Sequence, residues 1–76
     1  MNWRHQIELN PEVVVGKPVV KGTRLPVEFV LDMIAAGVSG ADMLSNYPRL
    51  THEGILACVA YASDLVRCER VLPVGG

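Results

Sequence analysis

The chemistry-bearing residues of this chain are densest in GKPVVKGTRLPV, residues 16–27, which holds Lys17, Lys21, Thr23 and Arg24 among glycines, prolines and valines. Glycine beside lysine raises the question of a phosphate cradle. A P-loop needs a glycine, four further residues and then Gly-Lys-Ser/Thr at the start of a helix. Here Gly16-Lys17 runs into Pro18, and position 11 upstream is Pro11 rather than glycine. Pro18 also removes a backbone N–H that such a loop would use. The glycines therefore read as turn residues of a small hairpin, and the cations as exposed charge.

Nucleophiles and acids give no better site. The chain has no Gly-x-Ser-x-Gly elbow. His52 and Cys58 stand on one predicted helix, but their spacing leaves them about 120° from alignment. His5 and His52 are isolated, without partners at zinc-ligand spacing. Cys58 and Cys68 form neither a CxxC motif nor a disulfide framework, and read as small buried or half-buried residues. Glu28 and Asp32 sit four apart on one helix, as a solvated face would. No catalytic residue, cofactor or metal is expected. A chain of 76 residues is also too short to enclose a deep pocket without a second subunit.

The elements that must position these residues follow from the pattern. The length predicts one domain over 1–76, and an apolar half of the sequence predicts a folded one. A β element is expected over about 7–25. Ile7-Glu8-Leu9 alternates as a short strand, Asn10-Pro11-Glu12 breaks it, and Val13-Val14-Val15 is strand-like. Val19-Val20 then pairs with Arg24-Leu25 across a turn in which Gly22 supplies positive φ.

Pro26 changes the regime, since proline is favoured in a first helical turn. Val27, Val30, Leu31 and Ile34 make one stripe, widened by Phe29 and Met33, and Gly37 suits a left-handed cap. Helix one is predicted over 26–36. Ser39 is the N-cap of a second helix over 40–46, which must stop before Pro48. Thr51 is the N-cap of a third over 52–67, with Ile55, Val59, Ala62 and Val66 as its inward stripe, flanked by Leu56, Ala60 and Leu65. A tail of 68–76 follows. The fold class is mainly α, a short N-terminal β-hairpin followed by a three-helix, helix-turn-helix domain. No apolar run spans a membrane, and the N-terminal residues lack the apolar block of a signal peptide, so a cytoplasmic location is expected.

Charge is uneven. Residues 1–24 carry Arg4, Lys17, Lys21 and Arg24 against Glu8 and Glu12, whereas residues 25–66 carry Arg49 alone against five carboxylates. Lys17, Lys21 and Arg24 flank turns, and Arg49 lies before helix three, where each can meet a phosphate. His52 opens that helix and completes the candidate DNA-contacting set. Against this, residues 52–66 offer His52, Glu53, Ser63 and Asp64 to base edges, with no Arg or Lys, and Glu53 and Asp64 would repel a phosphate they faced. Protein binding is the rival reading: apolar surface to spare, with Trp3, Tyr61 and Leu72 as candidate contacts.

The motifs themselves carry a resemblance. Asn10-Pro11-Glu12, Gly16-Lys17-Pro18-Val19, Gly22-Thr23-Arg24 and Pro26-Val27, continued by Ala35-Ala36-Gly37, Tyr47-Pro48, Leu50-Thr51, Glu53, Ile55, Ala57 and Tyr61-Ala62, resemble the prokaryotic family known as domain of unknown function four-three-three. The resemblance runs over about residues 7 to 67. It implies a homeodomain-like three-helix domain without catalytic residues. It also implies a PIN-like ribonuclease toxin as partner, in the manner of VapB-type antitoxins. Gly40 and Gly54 depart from the pattern, which commonly has a bulky apolar residue and an acid there. The expectation is a non-enzymatic, antitoxin-like protein of a toxin–antitoxin system. It would be homodimeric, binding the toxin and, as a dimer or complex, autoregulatory double-stranded DNA. Two alternatives remain: a protein-interaction adaptor that never touches DNA, and a small-molecule binder at a dimer cleft.

Overall fold

A computed structural model describes residues 2–9 and 17–68. The expected Asn10-Pro11-Glu12 break, the Val13–Val15 strand, the tail beyond Cys68 and the contact assigned to Leu72 lie outside the described residues. A 3-10 turn, Trp3–His5, leads into β1 (Ile7–Glu8), β2 (Val19–Val20) and β3 (Leu25–Pro26). Three helices follow: α1 (Val27–Ala35), α2 (Gly40–Asn46) and α3 (His52–Cys68). The fold is mainly α, as the pattern predicts.

The strands form one antiparallel sheet in the order β1-β2-β3, with Val20 opposite both Ile7 and Leu25. The β2–β3 hairpin is therefore extended by β1 on its β2 side into a three-stranded sheet, with β2 in the centre. Two details differ from expectation. The return strand is Leu25–Pro26 rather than Arg24-Leu25, because Arg24 is in the left-handed region at φ 61° and belongs to the turn. Pro26 ends that strand and caps α1 at ψ 144°, rather than opening the helix. Proline fits there because β3 is an edge strand, where a missing N–H interrupts no ladder. Val27 carries the hydrogen bonding on, donating to the Pro18 carbonyl at 2.9 Å.

The helix ends follow local chemistry. Gly37, at φ 86°, closes α1: its N–H donates to the Ile34 carbonyl at 3.0 Å and the Val38 N–H to Met33, also at 3.0 Å. That pair satisfies carbonyls left open by the last turn. Ser39 Oγ accepts from the Asp42 N–H at 3.1 Å, and Thr51 Oγ1 from the Gly54 N–H at 2.9 Å. Each cap satisfies one orphan donor.

The core joins Trp3, Ile7, Val20, Val27, Val30, Met43, Leu50, Ile55, Ala57 and Cys58. In α1, Val27 and Val30 are buried, whereas Phe29 and Ile34 of the predicted stripe are exposed, Phe29 packing edge-on against Tyr47. The predicted inward stripe of α3 needs a larger correction. Ile55 is buried, but Val59 and Val66 are exposed, and the helix turns Gly54, Ala57 and Cys58 inward. A helix apolar on every side has no single periodic face, so periodicity cannot orient it. Gly54 helps to fix the choice. A Cβ there would lie 3.2 Å from Val20 Cγ1 and 3.3 Å from Thr51 Oγ1, so the glycine lets α3 approach β2 closely.

Trp3 ties the N-terminal turn to α3 across the whole described chain. Its indole Nε1 donates to Asp64 Oδ2 at 2.7 Å, and its ring meets Tyr61 edge-on at 4.7 Å between centroids. Trp3 is buried, so its side chain belongs to the core and is not presented as a contact for a partner. Tyr61 is half-buried behind it.

Candidate nucleic-acid interface

The turn between β2 and β3 is built by Thr23. Its hydroxyl donates to the Val20 carbonyl at 2.8 Å and accepts from the Leu25 N–H at 2.9 Å. Gly22 takes φ 80°, which costs glycine nothing, and Arg24 follows at φ 61°, which does cost a side-chain-bearing residue. This geometry aims Arg24 beside the α2–α3 turn. There Arg49 lies between Pro48 and Leu50, and the Leu50 N–H donates to the Tyr47 carbonyl at 2.9 Å.

The two arginines line one open concavity of about 450 Å³ with Gly22, Thr23 and Glu8. Glu8 also borders a second groove, lined by Lys21, Arg4 and Leu9. Among the described residues, four cations thus line two concavities that share Glu8 as their carboxylate. Among the described residues no carboxylate pairs with Arg24 or Arg49. Unpaired cations around a concave surface suit a polyanion, because field lines concentrate there.

The other candidates are placed differently. Lys17 lines neither concavity and pairs with Glu28 of α1 at 3.1 Å. Both side chains are more than half exposed, so the pair adds little stability. His52 is exposed at the start of α3 and lines neither concavity. Arg4 is a cation of this face that sequence reasoning left out; its guanidinium stacks over the Trp3 ring at 4.5 Å. The only sequence signal for it was its place in the basic N-terminal segment. Asp64, a potential repellent of phosphate, is occupied by the Trp3 indole and stands 3.9 Å from Arg67.

Backbone strain yields a test of why Arg24 is there. Left-handed φ costs an L-residue about 1–2 kcal/mol, and glycine in the same place loses about 0.5–1 kcal/mol in chain entropy. Arg24→Gly should therefore raise unfolding stability by about 0.5–1 kcal/mol in a urea titration, while removing a cation from the face. An unchanged or lowered stability would mean that Arg24 holds the turn together.

Among the described residues no acid–base or nucleophilic pair emerges from the geometry. Among the described residues no three His, Cys, Asp or Glu side chains gather as metal ligands would. Cys58 is fully buried, and burial pushes its thiol up from 9.0 to about 11, away from thiolate chemistry. The raised value favours the protonated fold. Its contribution to stability is whole below about pH 9 and is lost as pH rises through about 11. Cys58→Ala should flatten the fall in stability between these limits, measured by denaturant titration against pH. Mass mapping at neutral pH should find Cys58 alkylated slowly until denaturant is added.

A small sheet feeding three helices, with cations at the hairpin tip and in the α2–α3 turn, defines a compact helix-turn-helix-type domain. The chain belongs to the family described as Protein of unknown function (DUF433), whose model matches residues 7–62. It is 41% identical over 59 residues to the Uncharacterized protein y4eO of Sinorhizobium fredii (strain NBRC 101917 / NGR234). That match takes in 78% of this chain and 27% of the relative, so the chain spans about a quarter of the relative's length. No solved structure matches it. Among the described residues no helix is long and apolar enough to cross a membrane.

Proposed function

We propose that this chain is a non-enzymatic, antitoxin-like module that grips the phosphate backbone of double-stranded DNA with its hairpin and α2–α3 turn, in company with a PIN-like toxin. One observation carries the DNA half of this reading. Arg24 and Arg49, which are 25 positions apart in the chain, line one open concavity, and Arg24 does so from a strained backbone. Strain of that kind clusters where a side chain is placed for function. Arg4 and Lys21 extend the same face.

Backbone gripping also suits what α3 lacks. The exposed residues of its first turns, His52, Glu53, Leu56 and Val59, carry no bidentate donors for base edges. Binding should then be electrostatic, salt-sensitive and weakly selective. The toxin half rests on the antitoxin-like character of the resemblance. The test is binding to duplex DNA from upstream of the chain's own gene at low salt, with the protein alone and with the product of the adjacent gene. Binding in either state supports the DNA half, and none in both removes it. A stable complex with a neighbouring PIN-like nuclease supports the toxin half.

The exposed apolar residues of α3 favour a second reading, an adaptor that binds protein alone. A partner complex with no DNA affinity from the outset would establish that reading.

A further inference from the structure

The outward face of α3 is apolar where a free helix should be polar. Leu56, Val59, Ser63 and Val66 follow one another at intervals of three, four and three residues. This spacing is that of the a and d positions of a helix–helix seam. Leu56 and Val59 are each 46% exposed and Val66 is 64% exposed. Ala60 lies beside the seam, small enough to let another backbone approach.

We propose that this face is the contact between two copies of the chain, packed as antiparallel α3 helices about a two-fold axis near Ala60 and Tyr61. The argument for a second copy is self-complementarity in shape and charge. In antiparallel register, Leu56 faces the second copy's Val66 and Val59 faces its Ser63. The same register sets the residues flanking the seam opposite each other, so Glu53 meets the second copy's Arg67. The two-fold axis repeats that pair at the other end, about 21 Å away along the helix. Glu53 and Arg67 are both exposed. In a parallel pair the equivalent flanking residues lie on opposite sides of the seam, and Glu53 and Arg67 stand 14 positions apart along it, so the pair would not form. The seam does not depend on DNA binding, since the cations of the hairpin face belong to other elements.

Sedimentation equilibrium of the full chain should give a dimer. Val59→Glu places a carboxylate in the seam and should weaken association more than about tenfold, while the helical circular dichroism and melting of the monomer stay intact, because Val59 contributes little to the monomer core. Glu53→Arg should also weaken the dimer, and Glu53→Arg with Arg67→Glu should restore it, as only an antiparallel register requires. A monomer at all accessible concentrations overturns the proposal. So does a dimer that survives Val59→Glu, which would place the contact elsewhere. A dimer lost in Val59→Glu but not rescued by the charge swap overturns the antiparallel register.

Discussion

Trp3→Ala should cost about 3–5 kcal/mol of unfolding free energy, the range for emptying a buried Trp or Phe site. The residue is 8% exposed and lies 61 positions in sequence from the carboxylate that its indole reaches. Its loss would empty the space beneath Tyr61 and uncouple the N-terminal turn from α3. A domain this short has stability near the lower end of the usual 5–15 kcal/mol, so Trp3→Ala should leave much of the population unfolded at ambient temperature. Trp3→Phe keeps an aromatic ring but gives up the N–H donated to Asp64 and part of the buried indole volume. It should cost at least about 1.5–3 kcal/mol, as for a hydrogen bond to a charged group, and remain measurable by urea titration. If Trp3 were a partner contact rather than core, both variants would stay within about 0.5 kcal/mol of the parent, as surface substitutions do.

The second large effect is on DNA. Replacing both Arg24 and Arg49 by alanine should remove two phosphate contacts. With a slope of about −0.9 per contact in log affinity against log salt, the loss is on the order of a hundredfold at about 50 mM salt. The salt slope should become shallower by about two. Because neither residue is assigned to a base edge, the loss should be equal for unrelated duplexes. Lys17→Ala serves as the control: Lys17 pairs with Glu28, lines neither concavity and should change affinity little. A loss from Lys17→Ala equal to that of the arginine pair would make the effect one of net charge alone.

How far these features were legible in the sequence depended on their range. Ser39, Thr51, Gly22 and Gly37 were readable because a cap or a left-handed turn is settled within four or five residues. The boundaries of α2 and α3 followed from them. The bend at Arg24 was not readable, since arginine has no preference for positive φ, and only the paired strands around it force that conformation. Trp3 looked like an interface aromatic because its partners, Tyr61 and Asp64, lie at the far end of the chain. The orientation of α3 was hidden by its composition: Ile55, Leu56, Ala57, Cys58, Tyr61 and Leu65 together surround the axis, and contact with β2 at Gly54 selects the buried side.

The candidate site shows the same division. Lys21, Arg24 and Arg49 could be named from their turns. Their grouping could not, because it depends on the hairpin tip reaching the α2–α3 turn through tertiary packing. Lys17 has the same charge and stands in the same stretch of sequence, yet the fold directs it to α1. Arg4 joins the face only because Trp3 anchors the N-terminal turn beside β1.

Amide chemical-shift mapping during titration with a short duplex decides where DNA meets this domain. With the hairpin face as the contact, Lys21, Gly22, Thr23, Arg24 and Arg49 should shift together and saturate, while Leu56, Val59 and Ser63 stay still. Shifts concentrated along the outward face of α3, with the hairpin unmoved, would contradict the assignment and return the contact to the helix.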